Sequence, residues 1–71
     1  SDNGLKYLRN ALSINLYGCN LITNNGINYL ENVENLILGN SNLITDKGIL
    51  NLKKLKYLKA VNCFQIKNVK F

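Results

Sequence analysis

Apolar residues return along this chain every 22 positions. Leu5, Ile27, Ile49 and Phe71 share one phase, Leu8, Leu30 and Leu52 a second, and Ile22, Ile44 and Ile66 a third, with Gly4, Gly26 and Gly48 keeping step. Within the period lies the frame Ala11-x-x-Ile14-x-Leu16-x-x-Cys19, repeated as Val33-x-x-Leu36-x-Leu38-x-x-Ser41 and Leu55-x-x-Leu58-x-Ala60-x-x-Cys63. The pairs Ile14/Leu16, Leu36/Leu38 and Leu58/Ala60 alternate as in a strand with one buried face, which predicts strands near 13–17, 35–39 and 57–61. Ile27 to Leu30 and Ile49 to Leu52 are spaced as on one face of a short helix. Ahead of those helices Asp2, Asn24, Asp46 and Asn68 recur at one phase, where a side-chain oxygen accepts from the free N–H groups of a first helical turn. Each copy is expected to run strand, turn, short helix, turn.

Such self-similarity predicts an α/β solenoid in which each unit buries its apolar edge against its neighbours. Residues 1–22, 23–44 and 45–66 make three copies of one array, and 67–71 opens a fourth. The first copy begins without Met, and neither end has the polar capping unit that solenoids need, so the chain is read as an excerpt of a longer protein. Seventy-one residues allow one domain with a thin core. The recurrent Gly at 4, 26 and 48 points to close backbone approach between neighbouring turns, which a residue without Cβ permits.

The consensus L-x-x-L-x-L-x-x-C-x-x-I-T-D-x-G-L-x-x-L resembles the cysteine-containing class of leucine-rich repeat. Its closest copy here is Ile44-Thr45-Asp46-Lys47-Gly48-Ile49-Leu50-Asn51-Leu52 with Cys63 after the next strand, and Ile22-Thr23-Asn24-Asn25-Gly26-Ile27 repeats it. The period is shorter than this class commonly has, and Ser41 stands where the middle Cys is expected, implying a shortened convex side. Proteins of this type include F-box substrate receptors of ubiquitin ligases and the mitochondrial coupling factor B group associated with ATP synthase. The stretch from Ile44 to Leu58 is similar to the latter. The resemblance implies a horseshoe with parallel strands on its concave face, short helices on its convex face, and a protein partner.

Strand residues beside the buried pairs form three columns on that concave face: Ser13, Asn35 and Tyr57; Asn15, Ile37 and Lys59; Tyr17, Gly39 and Val61. These positions are expected to be free of packing duty. Tyr17, Ile37, Tyr57 and Val61 supply apolar and aromatic anchors, with Ser13, Asn15, Asn35 and Lys59 as a polar surround, a composition that suits protein binding. The plainer account is that β-branched and aromatic residues favour strands.

Charge adds a second candidate. The net charge is +5, and its basic part sits in residues 45–71, where seven Lys face Asp46 alone. Lys53, Lys54 and Lys56 form a basic patch that would attract acidic protein, nucleic acid or lipid headgroups. Lys53 and Lys54 also stand where a helix ends and cations favour its dipole without any ligand. An Asn- and Lys-rich composition without Pro, Trp, His or Met is also what an AT-biased genome encodes.

Other chemistries find little footing. Cys19 and Cys63 are two copies apart, so their strands lie roughly 10 Å apart. A disulfide needs Cα atoms within about 7 Å, so no intrachain bridge is expected, and each Cys reads as a small buried hydrophobe with a weak donor. Reduced thiols fit an intracellular setting, cytoplasmic or mitochondrial. Without His or a C-x-x-C pair there is no metal set, and without an imidazole base a Ser or Cys nucleophile lacks activation. No cofactor is indicated, and no apolar run is long enough to span a bilayer. The leading expectation is a non-catalytic protein-interaction scaffold; the alternative is a basic surface for nucleic acid or anionic lipid, and an enzyme would need a site in flanking sequence.

Overall fold

A computed structural model of the chain describes residues 2–67. It is an α/β fold with a three-stranded parallel sheet in the order β1-β2-β3. The strands are β1 (Ser13–Tyr17), β2 (Asn35–Gly39) and β3 (Tyr57–Val61), at the places where the alternation put them. Their register is the sequence period itself: Ser13 pairs with Asn35 and Asn35 with Tyr57, and so on to Tyr17, Gly39 and Val61. Backbone brackets repeat with the same step. The Leu12 carbonyl accepts from Glu34 and Asn35 N–H at 2.8 and 3.0 Å, and the Glu34 carbonyl accepts from Lys56 and Tyr57 N–H at the same distances.

Each strand is followed by a residue with left-handed backbone. Gly18, Asn40 and Asn62, 22 residues apart, have φ of 83°, 58° and 55°. Gly and Asn are the residue types that enter this region at least cost. The Asn62 carboxamide also donates to Asn40 Oδ1 at 3.2 Å. The turn leads to the helices α1 (Asp2–Leu5, continued by a 3₁₀ turn over Lys6–Leu8), α2 (Asn24–Ile27) and α3 (Asp46–Leu50).

The side chains expected to cap these helices do something else. Thr23 and Thr45, in extended conformation, are the N-cap residues of α2 and α3. Asp2, Asn24 and Asp46 instead reach forward to the next turn: Asp2 Oδ1 accepts from Thr23 N–H at 2.8 Å, Asn24 Oδ1 from Thr45 N–H at 3.0 Å, and Asp46 Oδ1 from Lys67 N–H at 2.7 Å. The Thr23 hydroxyl donates to Asp2 Oδ2 at 2.6 Å, and the Asn24 amide donates to Thr45 Oγ1 at 2.9 Å. Two carboxylates and one carboxamide thus bind the same backbone feature, because all three offer an acceptor oxygen at the same reach. Asn68, at the next phase, lies outside the described residues.

The glycine recurrence is explained by this ladder. A Cβ on Gly26 would overlap the Asp2 carboxylate, and one on Gly48 the Asn24 carboxamide, whereas Gly4 has open space. The close approach is therefore made by a side chain of the preceding turn, not by its backbone.

The core lies between the sheet and the helices, in columns of the period. Leu5, Ile27 and Ile49, Ile14 with Leu36, Leu16 with Leu38, Ile22 with Ile44, Leu30 with Leu52 and Val33 with Leu55 are all buried. Departures from the expected spine fall mostly in the outer turns: Leu8 is 40 % exposed, Ala60 is exposed, and Leu58 and Ile66 are half-buried. Among the described residues, β1 and β3 each pair on one edge only, so side chains there are covered from one side. The small-residue phase divides likewise. Cys19 is exposed, contrary to its expected burial, while Ser41 and Cys63 are buried. Ser41 Oγ donates to the Gly39 carbonyl at 3.4 Å and Cys63 Sγ to the Val61 carbonyl at 3.5 Å, so the two buried members of the phase each place a small proton-bearing side chain by the carbonyl two residues back. Both cysteines are free thiols.

Candidate functional site

Parity along the strands decides which side chains meet solvent. Even-numbered residues of β1 and β2 enter the core, and the odd-numbered ones line the opposite face of the sheet. Ser13, Asn15, Tyr17, Asn35, Tyr57 and Lys59 are exposed there, and Ile37 and Val61 are half-buried. Tyr17 and Tyr57 remain 56 % and 52 % exposed, large values for aromatic rings on a sheet. A depression of about 390 Å³ opens on this face, lined by Ser13, Ile14, Asn15, Asn35, Ile37 and Tyr57.

Not every position is free of structural duty. Asn35 Nδ2 donates to Ser13 Oγ at 3.1 Å across β1 and β2, and Asn15 Oδ1 accepts from Tyr17 N–H at 2.9 Å. Gly39 is buried, because the Tyr17 ring lies where a Cβ on Gly39 would sit. The ring thereby rests on β2 as well as β1. By contrast, the Lys59 ammonium has no hydrogen-bond or ion-pair partner among the described residues.

The lysines of the basic patch are placed differently. Lys53 Nζ donates to the Leu50 carbonyl at the end of α3, 3.4 Å away. Lys54 Nζ donates to Asn32 Oδ1 at 2.8 Å; the Asn32 amide in turn donates to the Arg9 carbonyl at 2.9 Å. Lys56 pairs with Glu34 at 3.8 Å. Each cation already has an oxygen partner inside the chain. A second depression, of about 410 Å³, is lined by Asn28, Glu31, Asn51, Leu52 and Lys53, which mixes both signs of charge.

Two features escaped the sequence-based expectations. The ladder from Asp2 to Lys67 was visible as a recurrence, but its acceptors serve residues 21 positions on, which no local capping pattern suggests. Leu21, Leu43 and Phe64, in the turns after the strands, are exposed; Leu21 and Leu43 share one phase, the signal that would have revealed them.

Comparison of the chain with protein families, curated proteins and solved structures gives no match. Among the described residues, no helix is long and apolar enough to cross a membrane, and no three His, Cys, Asp or Glu side chains gather as a metal-binding group.

Proposed function

We propose that the chain is a leucine-rich repeat array of the solenoid type, acting as a non-catalytic scaffold that holds a partner protein on the odd-numbered face of its sheet. The 22-residue register of three strands and the recurrent Ile-Thr-Asx-x-Gly-Ile segment support the repeat assignment. The function rests on one observation above the others: Tyr17 and Tyr57 stand more than half exposed on a face whose polar neighbours Ser13, Asn35 and Asn15 are already bonded within the chain. Exposed aromatic anchors within a polar surround are the composition of binding hot spots. Free thiols at positions 19 and 63 accord with an intracellular setting, cytoplasmic or mitochondrial. The basic-surface alternative has less behind it: Lys53, Lys54 and Lys56 are oriented by the Leu50 carbonyl, the Asn32 carboxamide and Glu34 within the chain, and Glu34 offsets part of their charge.

The test is the triple substitution Tyr17→Ser, Ile37→Ser and Tyr57→Ser. All three side chains point away from the core, so the circular dichroism spectrum is expected to persist while capture of the partner from cell extract is lost. A triple variant that still captures the same partner rejects this face as the binding surface.

A further inference from the structure

The open face has a geometry that narrows its occupant. Tyr17 is the last residue of β1, Ile37 the middle residue of β2 and Tyr57 the first of β3, so the three lie on one diagonal of the sheet. With strands about 4.8 Å apart and a rise of about 3.3 Å per residue, the two tyrosines stand about 16 Å from each other, with Ile37 midway. An extended chain of about five residues covers that length. The Tyr17 ring, seated on Gly39, forms one end of this track, and Tyr57 forms the other.

The polar groups beside Ile37 both carry donors. The register puts Asn15 on one side and Lys59 on the other. Asn15 Oδ1 already accepts from the Tyr17 N–H, and its NH₂ group is left to donate outward. Lys59 brings an exposed ammonium without an internal partner among the described residues, and none of the nine face positions carries a carboxylate. The face has no anion of its own among these nine positions, so an acidic partner complements it and a basic one is repelled.

We infer that the occupant is an extended acidic segment of a partner protein, crossing from Tyr17 to Tyr57 with an apolar side chain over Ile37 and an adjacent carboxylate on Lys59. This rests on the face being a protein-binding surface. The backbone carbonyls of such a segment supply the acceptor that Asn15 lacks, and the rings at either end hold flanking apolar side chains. A basic segment would set its charge against Lys59.

Selection of random peptides of about seven residues on the full chain, on its Lys59→Glu variant and on the Tyr17/Ile37/Tyr57 triple Ser variant tests this. The wild-type chain is expected to enrich peptides with Asp or Glu between apolar residues, and Lys59→Glu to replace that acid by Lys or Arg. For one enriched peptide, Lys59→Ala is expected to weaken binding about two- to fivefold, the range of an exposed ion pair, with the loss shrinking as salt is raised. Absence of enrichment on the wild-type chain, or enrichment without an acid and unchanged by Lys59→Glu, overturns the acidic-segment assignment. Binding of phosphatidylserine vesicles or polyuridylate in place of peptides, lost in Lys59→Glu, also overturns it. Enrichment that survives in the triple Ser variant overturns the face itself.

Discussion

Asn24 joins two consecutive turns with one side chain: its Oδ1 accepts from Thr45 N–H, its amide donates to Thr45 Oγ1, and the space it fills exists because residue 48 is Gly. Asn24→Ala strands a part-buried backbone donor, and a cost of about 1–3 kcal/mol follows. In a domain of this size that lowers the melting temperature by about 4–8 °C per kcal/mol. Asn24→Asp is expected to be close to neutral, since Asp2 makes the equivalent bonds to Thr23 through a carboxylate, its second oxygen taking the hydroxyl proton. Gly48→Ala displaces the Asn24 carboxamide and is expected to lose a similar amount, but little in an Asn24→Ala background, so the two losses do not add. Gly4→Ala meets no neighbour and is expected to gain about 0.5–1 kcal/mol from helix propensity. Thermal melts of these variants check the scheme, and additive losses at positions 24 and 48 would refute it. The recurrence of Asx and Gly was legible in the sequence; that the two form one device was not, because their contact runs between turns and not within one.

At the scale of elements, strands were more legible than helices. A period of two over five residues, with Ile14/Leu16 and Leu36/Leu38 as the inward pairs, marks both the strand and its buried face. The helices have four or five residues and α2 and α3 end at Ile27 and Leu50, so Leu30 and Leu52, expected on one helical face with Ile27 and Ile49, lie in the turns beyond them; a spacing of three within one short turn does not fix a helix end. Leu8 shares the phase of Leu30 and Leu52 yet falls in a 3₁₀ turn at the outer edge, where nothing described stacks on it. The same edge effect separates two residues of one column, Leu38 and Ala60. Leu38→Ala, in the strand paired on both sides, is expected to cost about 2–5 kcal/mol through loss of contacts and the cavity left behind. Ala60→Ser, at the exposed end of that column, is expected to stay within about 0.5 kcal/mol. Urea unfolding compares them directly, and equal midpoints would mean that the even-numbered residues do not form the core.

On the scale of the whole molecule, the period says how turns stack and is silent on which charges remain free. Lys53, Lys54, Lys56 and Lys59 look alike in sequence, but the first three meet oxygens supplied by residues up to 22 positions away, and only the last projects from the sheet face without a partner among the described residues. The candidate site was therefore half legible: alternation identified its positions, while the bonds that tie Asn35 to Ser13 and Asn15 to the Tyr17 backbone, and the seat of Tyr17 on Gly39, required three dimensions. Stacking also shapes stability. A turn that touches only the turns beside it owes its protection to both neighbours, so opening is expected to begin at the outer turns. Amide hydrogen exchange is the measurement: protection is expected to be greatest at Leu36, Ile37 and Leu38 in β2 and lower in α1 and around Cys63 to Ile66, where one side of the turn has no described neighbour. If all amides exchange with one common free energy, the molecule opens only as a whole, and its turns are not the nearest-neighbour units that the 22-residue register implies.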